Sequence, residues 1–102
     1  MSKFTITLDQ AKKWAITWRN NPPKELAKGH LIPVESLKTL IQTADVVSVR
    51  AYMGIDENKT QKLFFVGVNS DGKDLVDETH LIYDATEPCP TKCDPSSPFF
   101  KL

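Results

Sequence analysis

Between residues 46 and 69 the chain reads VVSVRAYMGIDENKTQKLFFVGVN, and its hydrophobic positions follow two rules in turn. Val47, Val49, Ala51, Met53 and Ile55 are apolar, whereas Ser48, Arg50, Tyr52, Gly54 and Asp56 are mostly polar or amphipathic. Successive side chains of a strand point to opposite faces, so this period of two predicts a half-buried strand over 46–56. Asp56-Glu57-Asn58-Lys59-Thr60 breaks the pattern with charges and turn formers. No Asn-Gly or Asp-Gly pair sits there, so a loop longer than two residues is expected to reverse the chain. Leu63-Phe64-Phe65-Val66-Gly67-Val68 is then apolar at both parities. That pattern predicts a strand over 62–69, central in its sheet and covered on both faces. The chain's own helices can cover one face, while the other needs the C-terminal tail or a partner subunit.

The N-terminal part repeats at helical spacing instead. Thr7 followed by Gln10 reads as a capping box, with Asp9 in the first turn favouring the helix dipole. Leu8, Ala11, Ala15 and Trp18 share one face with Trp14 at its edge, and Asn20-Asn21-Pro22-Pro23 ends the helix. Two tryptophans four apart on an apolar face read as core anchors rather than a ligand-stacking pair. Residues 24–28 are expected to add a helical turn that stops at Gly29, followed by the connector His30-Leu31-Ile32-Pro33. Pro33 suits the first position of a second helix whose buried stripe is Val34, Leu37, Leu40, Ile41 and Ala44.

After the hairpin, Ser70-Asp71-Gly72-Lys73 is a turn, and residues 80–85 are expected to form a third strand. The ending TEPCPTKCDPSSPFFKL holds four of the seven prolines, which rules out a helix or a central strand. It is expected to be a loop whose Phe99-Phe100 pair tucks onto the body. The expected fold is therefore α+β: two N-terminal helices (1–44) packed on one face of an antiparallel sheet of about three strands (45–86), with a Pro/Cys-rich tail (87–102).

Composition changes this picture little. The 102 residues make one domain with ordinary globular composition, and net charge is zero, which argues against nucleic acid held by bulk electrostatics. The zero divides into +4 over residues 1–44 and −4 over 45–102, read here as halves that attract as they pack. No stretch approaches a membrane span and MSKFTITLDQ has no apolar leader, so the expected location is the cytoplasm, without a membrane partner.

Candidate chemistry is sparse. Cys89 and Cys93 lie in Pro88-Cys-Pro-Thr-Lys-Cys-Asp-Pro95, and cytoplasmic cysteines default to free, partly buried thiols. Two other uses of the pair are open. One is half of a zinc shell completed by His30 and His80; the other is a redox-active pair or disulfide, with Lys92 lowering the thiol pKa. The histidines are each followed by Leu-Ile, and no nucleophile elbow or metal-binding helix motif is present. Residues 69–74 lack the glycine position and later glutamate of a calcium loop.

The VRAYMGID…KLFFVGV hairpin and the IYDATEPCPTKCDPSSP ending together resemble a family of small, single-domain bacterial proteins of uncharacterised function. The resemblance implies a bacterial, cytoplasmic protein and carries over no activity, cofactor or site residue. The first functional reading is thus a non-enzymatic interaction module whose partner is itself, as a homodimer, or another protein. Its motive is the second strand's two apolar faces. The alternative is a thiol or zinc protein using Cys89 and Cys93. The second alternative is an enzyme at a helix–sheet cleft with Arg50, Tyr52, His80 or Asp84.

Overall fold

The computed structural model describes residues 5–84, 86–89 and 92–99. In chain order its elements are β1 (Thr5–Ile6), α1 (Leu8–Asn20), β2 (Gly29–Leu31), α2 (Val34–Ile41), β3 (Ser48–Ile55), β4 (Gln61–Val68), β5 (Asp74–Leu75), β6 (Ile82–Tyr83) and β7 (Glu87–Cys89). The α+β class with antiparallel pairing is as expected. The main sheet has five strands rather than about three, in the order β1-β6-β4-β3 with β5 also paired to β4. A separate ribbon joins β2 to β7.

The hairpin is the backbone of the molecule. β3 and β4 pair from Ser48↔Val68 to Ile55↔Gln61, and the Asp56 carboxylate accepts from the amides of Asn58 and Thr60 to close the loop. β4 is central, since β5 and β6 pair with it as well. Both its faces are covered, and by the protein's own helices. Phe64 and Val66 pack with Ile82 against Ala11, Trp14 and Ala15 of α1. Phe65 and Tyr83 pack with Leu40 of α2, ringed by Ile32, Leu37 and Val46. The helices therefore lie on opposite faces of the sheet, not on one. A strand apolar at both parities needs a cover on each side, and two helices supply one each.

The start of α1 is as read: Thr7 Oγ1 accepts from the Gln10 amide and Gln10 Oε1 from the Thr7 amide. Its buried face centres on Ala11, Trp14 and Ala15, with Trp14 inside rather than at the edge. Gly54 makes this possible, because a Cβ there would stand 2.9 Å from Trp14 Cβ.

Other expectations are corrected. Residues 24–28 form no helical turn. Their backbone bonds elsewhere, with the Ala27 amide on Gln61 Oε1, Gln61 Nε2 on the Glu25 carbonyl and the Lys28 amide on the Cys89 carbonyl. In α2, Ser36 and Leu40 are buried while Val34 and Ile41 are exposed, and Pro33 caps the helix rather than opening it. The third strand shrinks to β6 because Asp77 Oδ1 captures the Thr79 amide and the His80 ring. The tail is not all loop, since β7 pairs with β2. Phe99 is 76 % exposed and does not tuck in, and Phe100 lies outside the described residues.

The largest correction concerns β3. Alternation such as this would bury the odd residues, yet Val47, Val49 and Met53 are 64, 42 and 49 % exposed. The even face is the one turned to α1, through Tyr52 and Gly54. On the odd face α2 sits over Phe65 and Tyr83 and leaves β3 uncovered.

Candidate functional site

Two regions carry features beyond packing. The first is built by the β2–β7 ribbon, in register Gly29↔Cys89, His30↔Pro88 and Leu31↔Glu87. Proline is tolerated within it because a two-stranded ribbon is all edge. The ribbon sets Cys89 for a disulfide to Cys93, four residues on, which corrects the expectation of free thiols. Cys89 is buried and held by β7, whereas Cys93 lies beyond the strands and is partly exposed. Both sulfur-bearing residues line a cleft of about 420 Å³ with Lys28, His30, Lys92, Asp94 and Phe99.

Of the zinc-ligand candidates, His30 thus lies with the cysteines and His80 does not. His80 Nδ1 is 2.7 Å from Asp77 Oδ1 and lines a different depression. The disulfide occupies both thiols, and no group of three or more His, Cys, Asp or Glu among the described residues is placed to share a metal ion. His30 Nδ1 is buried without a hydrogen-bond partner among the described residues. Burial, and then the Lys62 charge, hold this imidazole below its ordinary pKa, so the neutral ring is favoured.

The polar residues named for a helix–sheet cleft divide in the same way. Arg50 and Tyr52 meet on Asp74 of β5, each donating to one carboxylate oxygen. The bond to Asp74, with desolvation behind it, holds the Tyr52 hydroxyl above its usual pKa, so the phenol stays a donor. Of these three, Tyr52 and Asp74 border a groove of about 440 Å³ between α1 and the sheet. His80 and Asp84 do not line that groove; burial pushes the Asp84 carboxyl up.

The second region is the outer edge of β3. The strand is eight residues long, ends its sheet, and has no partner on its outer side among the described residues. The exposed row Val47, Val49, Ala51 and Met53 runs along one face of it. Neither proline nor lysine interrupts it, and its one charge, Arg50, is paired with Asp74. The sequence did show this row, as the odd-position apolar set. What it did not show is that the row stays uncovered.

No protein-family model matches this chain, and neither a curated protein nor a solved structure is significantly similar to it.

Proposed function

We propose that this protein is a non-enzymatic self-association module that pairs with a second copy along the β3 edge. The observation that carries this is the unguarded edge itself. Edge strands are usually blunted by proline, lysine, bulges or brevity, because unpaired amides and carbonyls recruit other strands. β3 has eight residues, none of those devices, and an apolar row beside the open backbone. The earlier motive, β4 with a spare apolar face, is gone because both faces are covered internally.

An isologous antiparallel pairing suits the residues. Opposed residues of two antiparallel strands share a sheet face, so a two-fold axis passing beside Ala51 sets Ala51 against its own copy. Val49 then faces Met53 of the second chain and Val47 faces Ile55, all apolar, while Arg50 faces Tyr52. No like charges oppose each other, and main-chain bonds add affinity as in β-augmentation.

Sedimentation velocity of the wild type and of Val49→Lys and Met53→Lys tests this. The wild type should sediment as a dimer and both variants as monomers with unchanged circular dichroism, since these side chains touch little within the chain. A wild type that stays monomeric at every concentration, or variants that dimerise equally, would overturn the reading.

A further inference from the structure

We infer that Cys89–Cys93 is a thiol–disulfide exchange site, opened at Cys93 by a dithiol that enters the cleft against β2, rather than a structural staple. Three observations on different groups lead there.

The bond is asymmetric in access. Cys89 sits in β7, with its carbonyl accepting from the Lys28 amide at 2.7 Å, and is buried. Cys93 follows the strand, is partly exposed, and lines the cleft. A nucleophile from solvent therefore reaches one sulfur first, which directs exchange.

The bond also closes a short loop. Cross-linking residues four apart removes little freedom from the unfolded chain, so the fold does not depend on it. Around it, β7 is held by the ribbon to β2, and Thr86 next to it is fastened to Leu63 by two hydrogen bonds. Opening the bond leaves these intact.

The cleft, finally, offers partners for the products. The charged and titratable groups lining it are Lys28 and His30 from the β2 side and Lys92 and Asp94 from the tail, with the exposed Phe99 at its border. Glu87 of β7 lies 4.0 Å from Lys92, and Lys62 of β4 acts on His30. The two cations favour thiolate. His30 stands opposite Pro88 in the ribbon, one residue along from the Gly29–Cys89 pair, and its buried Nδ1 has no hydrogen-bond partner among the described residues.

The exchange balances as follows. A thiolate of the incoming dithiol attacks Cys93 Sγ; the Cys89–Cys93 bond breaks and its electron pair leaves on Cys89 Sγ, which takes up a proton. The second thiol of the dithiol, losing its proton, attacks the mixed disulfide and releases Cys93 as thiolate, which is protonated in turn. The dithiol is oxidised by two electrons to a disulfide and the pair is reduced to two thiols.

Two experiments test this. Native protein is equilibrated in glutathione buffers of graded ratio, quenched in acid, alkylated and weighed, with circular dichroism on parallel samples. The expected result is reversible opening with the fold retained. Resistance to dithiothreitol until the protein unfolds, or loss of fold on reduction, would overturn the proposal and leave a staple. Separately, Cys89→Ala and Cys93→Ala are reacted with dithionitrobenzoate. Cys93 in the first should react at least about tenfold faster than Cys89 in the second, following their access. Equal rates would remove the directionality on which the site rests.

Discussion

Thr86 is one of the most buried side chains in the molecule, at 0 % exposure, although it lies in a stretch that reads as a polar, proline-rich tail. Its hydroxyl donates to the Leu63 carbonyl at 2.9 Å and accepts from the Leu63 amide at 3.0 Å, so a side chain does the work of a strand neighbour beside β4. Lys62 Nζ bonds the Thr86 carbonyl at 2.8 Å and completes the join. Nothing local marks this threonine, since its partner lies 23 residues away. Thr86→Val keeps the shape and deletes both bonds, leaving the partly buried amide and carbonyl of Leu63 unpaired. It should cost about 1–3 kcal/mol for each group so stranded, less whatever water recovers, read as a lower urea midpoint at constant slope. The capping pair Thr7 and Gln10 shows the opposite case, legible in sequence because donor and acceptor are three residues apart.

Among elements, the two helices differ in how firmly the sheet holds them. α1 is anchored by three buried residues, by Trp14 against Gly54, and by Trp14 Nε1 donating to Glu57 Oε1 at 3.1 Å. α2 is shorter and buries only Ser36 and Leu40. Val34 and Ile41, which helical periodicity put in its core stripe, face outward, and Ser36 Oγ is buried without a partner among the described residues. A helix of eight residues depends on tertiary packing, because alone it is too short to persist. Native-state hydrogen exchange should therefore show α2 amides opening at lower free energy than those of α1, by a sub-global route. Equal protection of the two would mean that α2 is held by more than Leu40 and its neighbours. Periodicity located both helices but could not rank them, since apolar spacing is silent on which positions meet the sheet.

For the whole molecule, the pH response follows from the groups that folding perturbs. His30 is lowered by burial and Lys62. The folded protein therefore binds its proton less readily than the unfolded chain does. Its contribution is fully present above the unfolded value near 6.5 and is lost as pH falls through that value toward the folded one. Asp77 acts in the same sense at lower pH. Bonds from Thr79, then His80, lower it from 3.8 to about 2, so its contribution is present above 3.8 and fades below. Asp84, raised by burial, has the opposite sign. The urea midpoint should accordingly fall between about pH 7 and 5, and His30→Gln should remove that part of the slope. An unchanged slope in the variant would assign it to another group. The +4 and −4 halves of the chain give no such guide, because described ion pairs such as Arg50–Asp74 and Lys92–Glu87 lie within the second half rather than between the two.

The sequence by itself determined what depends on near neighbours. The α+β class, the start of α1 at its capping box, the β3–β4 hairpin with its five-residue loop and the centrality of β4 all follow from periods and turn chemistry spanning a few residues. Tertiary structure alone decided which face of β3 is covered, the division of the helices between two faces, the β2–β7 ribbon and the Cys89–Cys93 bond. The physical reason is shared by all four. A period of two says that a strand has two faces but not which one a helix reaches, and here Gly54 lets Trp14 approach the polar face while α2 stops over Phe65 and Tyr83. Likewise, spacing places two cysteines near each other, but the pairing of Gly29 with Cys89 across the ribbon is what brings β2 and Lys28 to the cleft they line.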